Sequence, residues 1–178
     1  MSRFVWRTRL LGRGISPALR SWLTEPGSLT ARCQALCASF TVKLLHYGFA
    51  RSLEGEAGIG KQVRIREVLL ACDGVPVIFA HTLLCNAVSR NASGRGLVFR
   101  WLARLGSRSL GSLLFSHPGF VRGEIEYCRL DSRHPLFYRV APYAPLEKTL
   151  WARRSRHRLG DQAVLVTEVF LPAIESLK

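Results

Sequence analysis

Residues 62–85 read QVRIREVLLACDGVPVIFAHTLLC, and this stretch decides the fold because it encodes a β-hairpin. Its two halves, Val63–Ala71 and Val75–Leu84, are rich in the branched and aromatic residues that favour strands. Between them lies the pair Asp73-Gly74, and an Asp-Gly pair favours the positive φ angles of a type I′ turn. Pro76 has no N–H to donate, so we expect it at the start of its strand or at an edge.

Two charged residues stand in apolar strands that are far apart in the sequence. Arg66 lies in the first strand of the hairpin, and Glu168 lies in the apolar segment Val164–Leu171. Because side chains alternate between the two faces of a strand, Glu168 shares its face with Val166 and Phe170. An unpaired charge is costly to bury among such residues. We therefore expect each charge to have a partner, which a bound ligand could supply.

The rest of the chain divides into helical and strand patterns. Helical patterns are predicted at Pro17–Leu23, at Leu29–Cys37 with Ser28 as N-cap, at Leu97–Leu105 before Gly106, and at Leu110–Phe115. Strand patterns are predicted at Phe40–Phe49, Gly123–Leu130, Leu150–Leu159 and Val164–Leu171. Strands joined by hairpins, with helices between two sets of strands, predict an α+β fold: a single domain with an antiparallel β-sheet flanked by helices.

Two segments fall outside this regular pattern. Residues 1–16 are expected to form a basic N-terminal arm, and residues 17–178 are expected to form the domain. The arm is rich in Arg, with no acidic residue before Glu25, a pattern that ordinary basic arms share with mitochondrial presequences. Residues 131–148 contain three prolines, and we interpret them as an inserted loop that decorates an edge of the domain.

Composition and charge restrict the function classes. With 178 residues, 48% of them hydrophobic, the chain can bury a substantial core. No apolar run approaches the ~20 residues of a membrane helix, so no membrane span is expected. The net charge of +14 suits nucleic acid, an acidic surface or a small anionic substrate. Because the cationic residues are scattered rather than gathered in a stripe, we do not expect a nucleic-acid partner.

The five cysteines are an odd number without secretory context, which favours reduced thiols in the cytoplasm. Cys33 and Cys37 form a CxxxC pattern, but no second Cys or His pair completes a zinc set. We therefore expect buried thiols and no metal.

The segment 151–159 places Arg153, Ser155 and His157 on one face and three further arginines on the other. The three further arginines are predicted to face solvent. Ser155 and His157 share a face, but no third group nearby completes a nucleophilic triad, so serine hydrolysis has little support.

Several segments together resemble the chorismate pyruvate-lyase family, whose members make 4-hydroxybenzoate for ubiquinone. The matching segments are Ile65–Leu70 with Asp73-Gly74-x-Pro76, Leu105-Gly106 before Ser109-Leu110-Gly111-x-x-Leu114-Phe115, Leu150–Ser155, and Leu165–Pro172. The similarity runs from about Leu19 to Ala173, in the family's order and spacing. No single segment is diagnostic, but the ordered set is specific.

The resemblance implies a set of site residues. Arg66 matches the family's carboxylate-binding Arg, and Glu168 matches the Glu that hydrogen-bonds the ring hydroxyl; both are expected to act in catalysis. Leu29 and Leu110 match substrate-binding positions that line the same pocket, partly through main-chain contacts. Two positions depart from the family: the family carries Met at the position of Leu29 and Arg at the position of His81. Protonated His81, or a neighbouring Arg, would have to replace that second cationic contact.

The implied reaction expels pyruvate from chorismate and aromatises the ring, so a concerted route needs no metal, cofactor or covalent nucleophile. We expect a cytoplasmic monomer whose partner is the small molecule chorismate. Two alternatives stay open. The fold also resembles the ligand-sensing domain of some bacterial transcription regulators. In those regulators a DNA-binding domain usually precedes the sensing domain, and we expect none here, because this chain has no room for one before the resemblance starts. A basic protein associated with RNA would also suit the charge.

Overall fold

The computed structural model describes residues 4–12, 14–56, 62–86, 100, 104–106, 108–160 and 162–177. Most of the helix predicted at Leu97–Leu105 lies outside the described residues. The positive φ of Gly106, +53°, agrees with its predicted place after a helix end.

Four α-helices have both ends within the described residues: α1 (Pro17–Leu23), α2 (Leu29–Leu36), α3 (Leu110–Ser116) and α4 (Pro135–Val140). Short 3-10 helices span Ala141–Tyr143 and Pro172–Ser176. The strands are β1 (Phe40–Arg51), β2 (Gln62–Cys72), β3 (Val75–Asn86), β4 (Val121–Arg122), β5 (Glu126–Asp131), β6 (Thr149–Leu159) and β7 (Gln162–Phe170). No helix in this described part of the chain is long and apolar enough to cross a membrane.

The predicted hairpin is formed by β2 and β3. Its turn residues, Asp73 and Gly74, have φ angles of 51° and 80°, as a type I′ turn requires. Pro76 is the second residue of β3, which confirms its predicted place at a strand start. Beyond it the register shifts, because Ala71 lies opposite Pro76 but the next pair is Leu70 and Ile78. This β-bulge inserts one extra residue into β3 and decides which β3 side chains share a face with those of β2.

The strands form one antiparallel sheet in the order β1-β2-β3-β7-β6-β4, and β5 also pairs with β6. The face that carries Val68 and Leu70, here called the inner face, is covered by α1, α2 and α3. The opposite, outer face carries Leu69 and Phe79 and is covered by α4. The predicted α+β domain with an antiparallel sheet and flanking helices is confirmed.

Local capping explains where the first two helices begin. The hydroxyl oxygen of Ser16 accepts a hydrogen bond from the N–H of Leu19, and the hydroxyl oxygen of Ser28 accepts one from the N–H of Ala31. On α2, Leu29 and Cys33 are buried, whereas Leu36 is exposed. The helix ends at Leu36 and does not extend its apolar face beyond Cys33.

The interpretation of residues 131–148 as an edge-decorating loop is wrong. This segment contains α4, which begins at Pro135 and whose side chains Leu136, Phe137 and Val140 are buried. They pack with Phe79 and Val169 on the outer face of the sheet. The prolines mislead because Pro at the first position of a helix starts the helix instead of breaking it.

Residues 4–12 contact the domain along β5. Arg7 and Tyr127 exchange two backbone hydrogen bonds of 3.0 and 2.8 Å. The ring of Phe4 lies edge-on to that of His134, with centroids 4.6 Å apart. The boundary between an arm and a domain at residue 16 stays a prediction.

Leu136→Ala is expected to lower the free energy of unfolding by about 2–5 kcal/mol, because it opens a cavity in a closed core. Denaturation with urea, followed by circular dichroism, measures this change. Leu146→Ala is the control, since Leu146 is 93% exposed and its loss should change stability by no more than about 0.5 kcal/mol. Equal effects of the two substitutions would contradict a core role for α4.

Candidate active site

The inner face of the sheet and the helices α2 and α3 line a cavity. All four site residues predicted from the sequence line it: Leu29, Arg66, Leu110 and Glu168. Leu29 and Leu110 are the first residues of α2 and α3, so both helices point their N-terminal ends at the cavity. The structure therefore brings the four residues together, and their individual roles stay predictions.

Strand register sets the spacing of the polar side chains on the cavity floor. One row of paired positions across β2, β3, β7 and β6 consists of Arg66, Thr82, Val166 and Ser155. The next row consists of Val68, Ala80, Glu168 and Arg153. Arg66 and Glu168 are thus two strands and one row apart, about 12 Å between their backbone positions. Their side chains can bridge that span together with a small aromatic ring.

Arg66 is buried and has no carboxylate partner among the ion pairs of the described residues. Its Nη2 donates to the carbonyl oxygens of Gly106 at 2.9 Å and Arg108 at 2.7 Å. Its Nε is buried without a hydrogen-bond partner. Burial lowers the pKa of Arg66, and an anion bound beside it would offset that cost. The predicted need for a partner therefore remains at this residue.

Glu168 has a partner built into the protein. Nε of Arg153 donates to its Oε2 at 2.7 Å across the β6–β7 pair. Arg153 is itself fully buried, and its Nη1 donates to the carbonyl oxygens of Glu25 at 2.7 Å and Leu23 at 3.3 Å. Glu168 therefore has no need of a ligand to balance its charge, although its side chain still lines the cavity.

A second polar group lines the cavity beside this pair, and the sequence analysis did not assign it to a site. Nε of Arg122 donates to Oγ of Ser155 at 3.1 Å, and Oγ of Ser155 lies 3.1 Å from Nε2 of His157. Burial and the positive charges of Arg122 and Arg153 lower the pKa of His157 to about 4, so its imidazole is neutral at neutral pH. The alternation of side chains along β6 was the sequence signal that could have assigned Ser155 and His157 to the cavity, because it separates them from the solvent-facing arginines.

That alternation along β6 is otherwise as predicted. Arg153, Ser155 and His157 are buried on the inner face, whereas Arg156 and Arg158 are exposed. The remaining outward-facing Arg, at position 154, is only half-buried and pairs with a Glu of β5.

The helices α2 and α3 meet at their N-terminal ends above the cavity. The hydroxyl of Ser109 donates to Oγ1 of Thr30 at 2.7 Å. A Cβ atom added at Gly111 would lie 2.8 Å from Oγ of Ser28, so a side chain there would have to displace the hydroxyl that caps α2. The first N–H groups of a helix lack partners within the helix, and Leu29 and Leu110, the first residues of α2 and α3, line the cavity.

The cavity carries an excess of positive charge. Among the described residues, its lining includes three guanidinium groups, those of Arg66, Arg122 and Arg153, and one carboxylate, Glu168. With His157 neutral, two positive charges are left unbalanced. A cavity with this charge suits a small molecule that carries two negative charges.

The sequence profile of the family described as "Chorismate lyase" matches residues 1–176. The chain belongs to this family. A relative named "Probable chorismate pyruvate-lyase" from Dechloromonas aromatica is 59% identical over the full length of both chains. A relative of the same name from Methylobacillus flagellatus is 40% identical and covers 96% of this chain and 97% of its own.

Solved structures show the same fold at low identity. The effector domain of PhnF from Mycobacterium smegmatis superposes with a TM-score of 0.50 and 19% identity, covering 82% of this chain and 89% of its own. The structure of PhnF from the same organism gives a TM-score of 0.51 and 20% identity, covering 84% of this chain and 65% of its own. These similarities extend to the fold alone.

We had considered protonated His81 as a replacement for the family's second Arg, but His81 does not lie in the cavity. The β-bulge places Thr82 opposite Arg66 and pairs His81 with Glu67, on the outer face. There Nδ1 of His81 lies 2.8 Å from Oε1 of Glu67, and Nε2 lies 3.1 Å from Oε1 of Glu56. Arg139 of α4 also contacts Glu67. Without the extra residue of the bulge, His81 would share the inner face with Arg66.

This outer network shifts the pKa values of its members. Burial alone would lower the pKa of His81, but its contacts with Glu56 and Glu67 outweigh burial and raise it above 6.5. Burial alone would raise the pKa values of the two carboxyl groups, but His81 outweighs it and lowers both below 4.5. The network is therefore a charged, buried element of stability behind the cavity floor.

The four cysteines whose side chains the structure describes are free, and Cys33, Cys72 and Cys128 are buried. Burial raises the pKa of the Cys33 and Cys128 thiols to about 11. Within the described part of the chain no group of three or more His, Cys, Asp or Glu side chains is arranged to hold a metal ion.

Because of the outer network, stability is expected to depend on pH in two directions. The raised pKa of His81 contributes stability that is complete below pH 6.5 and is lost as the pH rises through the folded value. The lowered pKa values of Glu56 and Glu67 contribute stability that is complete above pH 4.5 and is lost as the pH falls through the folded values. Urea denaturation at pH values from below 4.5 to above 6.5 measures both losses of stability.

His81→Gln should cost about 3–5 kcal/mol between those limits, because it leaves Glu56 buried without its partner. The deficit should shrink in acid as the carboxyl groups take up protons. His46→Gln on the exposed side of β1 serves as the control. A pH profile for His81→Gln that parallels the wild type would count against the network.

Proposed function

We propose that this protein is a chorismate pyruvate-lyase, which converts chorismate into 4-hydroxybenzoate and pyruvate. Family membership places this reaction at the start of ubiquinone biosynthesis. The observation that carries the proposal is the single cavity that contains Arg66 and Glu168 and holds two unbalanced positive charges. Chorismate is a dianion of a small ring acid, so its charge suits this cavity.

We assign the ring carboxylate to Arg66 and the helix ends. Arg66 holds a buried Nε without a partner, and a guanidinium binds a carboxylate best through two parallel N–H groups. The main-chain N–H groups at Leu29 and Leu110 border the same space, and helix N-termini favour negative charge. The three groups would fix one end of the ring.

Glu168 is assigned to the ring hydroxyl at the other end. Its carboxylate is held in place by Arg153 and lines the cavity, so it can accept a hydrogen bond from a hydroxyl group without moving. The register separates it from Arg66 by a distance that matches a ring substituted at opposite positions. Substrate and product would therefore bind in one orientation.

Positioning is the main catalytic contribution in this proposal. In the concerted route, the ether C–O bond breaks as the hydrogen of the hydroxyl-bearing ring carbon moves to the methylene carbon of the enolpyruvyl group. Pyruvate leaves and the ring becomes aromatic, so atoms and electrons balance without a metal, cofactor or nucleophile. Fixed positive charges in a cavity with little water would stabilise the charge that develops on the departing oxygen.

Location and assembly are proposed from the sequence. We expect a cytoplasmic monomer that binds no nucleic acid. The free state of Cys33, Cys37, Cys72 and Cys128 is in keeping with a reducing compartment. Size-exclusion chromatography with light scattering would measure the mass in solution.

Incubation of the purified protein with chorismate, with 4-hydroxybenzoate and pyruvate followed together, tests the activity. The two products should appear in equal amounts. A folded protein that releases neither product would refute the lyase, and chorismate binding without turnover would favour a sensing domain instead. Salt-sensitive RNA binding without any response to chorismate would favour a basic protein associated with RNA.

Arg66→Ala should weaken the binding of 4-hydroxybenzoate by about 2–5 kcal/mol, because it removes the charged partner of a buried carboxylate. Isothermal titration calorimetry measures this affinity. Arg156→Ala changes the same residue type at an exposed position of β6 and should leave the affinity unchanged. An unchanged affinity in Arg66→Ala would refute the assigned role.

Glu168→Gln should lower kcat/KM for chorismate while the protein stays folded. The matched control is Glu126→Gln, because Glu126 also accepts a 2.7 Å hydrogen bond from an Arg Nε of β6, that of Arg154, outside the cavity. Steady-state kinetics and thermal melting of both variants separate a role in the cavity from the general loss of an ion pair. Equal kinetic effects would argue against Glu168 as a contact of the substrate.

A further inference from the structure

We infer that Arg122, oriented by Ser155, binds the second carboxylate of the substrate, which is the one on the enolpyruvyl group. The inference rests on the proposed function and extends it, because it assigns the half of the substrate that leaves as pyruvate. It also names a determinant that separates recognition of the substrate from recognition of the aromatic product.

Arg122 is the cavity guanidinium that remains after the other two have been assigned. Arg153 is engaged by Glu168 and by two carbonyl oxygens, and Arg66 lies at the ring-carboxylate end. None of the ion pairs of the described residues includes Arg122. It is half-buried, so a positive charge that belongs to none of these ion pairs is held at the cavity wall.

The guanidinium of Arg122 is held in place before any ligand binds. Its Nε donates to Oγ of Ser155 at 3.1 Å, and its Nη1 donates to the carbonyl oxygen of Pro26 at 2.8 Å. Its Cζ lies 5.5 Å from the ring centroid of Phe115. These contacts fix the plane of the group while it still lines the cavity, and a fixed guanidinium loses little freedom when it binds a carboxylate.

His157 completes the orientation of this group. Because Ser155 accepts from Arg122, its own hydroxyl hydrogen is free to donate to Nε2 of His157 at 3.1 Å. That arrangement needs a neutral imidazole with its lone pair on Nε2, in agreement with the lowered pKa of His157. A neutral His157 adds no charge of its own, so the attraction for an anion is centred on Arg122.

The chemistry of the substrate allows its second carboxylate to lie on this side. In chorismate the enolpyruvyl ether is attached to the ring carbon next to the one that bears the hydroxyl. A ring whose hydroxyl contacts Glu168 therefore extends its side chain away from Arg66. On the strands beyond Glu168 in that direction, β6 and β4, Arg122 lies opposite His157 in register.

A comparison of two ligands tests the inference. Chorismate has two carboxylates, whereas 4-hydroxybenzoate has only the ring carboxylate. Arg122→Gln should therefore lower kcat/KM for chorismate by about 10- to 100-fold, the range of a hydrogen bond to a charged group. The Kd of the Arg122→Gln variant for 4-hydroxybenzoate should stay within about twofold of wild type. Arg66→Ala, in contrast, should weaken the binding of both ligands.

Two further variants distinguish the loss of this contact from misfolding. Arg122→Lys keeps the charge and should recover part of the chorismate activity, and Ser155→Ala should show the same selectivity with a smaller loss. Arg156→Gln, on the outer face of β6, should behave as wild type. Thermal melting of each variant identifies any that are unfolded.

The outcomes separate this inference from the proposed function. Equal losses for chorismate and 4-hydroxybenzoate in Arg122→Gln would overturn the inference, as would unchanged values for both. Absence of turnover by the wild type would instead overturn the proposed function. In that case the equilibrium Kd of chorismate replaces kcat/KM in the same comparison, and a selective loss in Arg122→Gln would still support the inference.

Discussion

A fully buried guanidinium joins the two sides of the cavity, and the rest of the site depends on it. Arg153 reaches Glu168 on the neighbouring strand and the carbonyl oxygens of Leu23, the last residue of α1, and of Glu25 just after it. The sheet and the α1–α2 connection are thereby fixed relative to each other. A charge buried this deeply requires all of its partners, since the loss of one leaves an uncompensated charge. The need to solvate one Arg internally thus determines where the cavity wall lies.

The cavity combines apolar walls with a few charges held in place by the backbone. Each of its arginines donates to at least one main-chain carbonyl oxygen, those of Arg108, Pro26 and Glu25 among them. Carbonyl oxygens bind a guanidinium without neutralising it, so the positive charge remains available to a ligand. A site built in this way needs little reorganisation when an anion enters, which is the condition under which fixed charges lower a reaction barrier most.

The hairpin turn at Gly160 shows how much of the site the sequence could reveal. It places Leu159 opposite Gln162, and counting back along both strands places Arg153 opposite Glu168. The β2–β3 hairpin was equally clear, but counting from its turn gives the wrong face for His81, because the bulge after Pro76 moves the register by one residue. A bulge depends on packing and has no strong local signal. The helix at 135–140 was hidden for a related reason, since its prolines resemble those of a loop.

Arg66 donates to the carbonyl oxygens of Gly106 and Arg108 while its Nε remains without a partner. One guanidinium therefore serves both the segment that leads into α3 and, in the proposed function, the ligand. Thermodynamic reciprocity follows from this sharing. If the ordered segment improves the affinity of Arg66 for an anion, then the anion must stabilise the ordered segment by the same free energy. Binding and local order around Arg66 form a single coupled equilibrium.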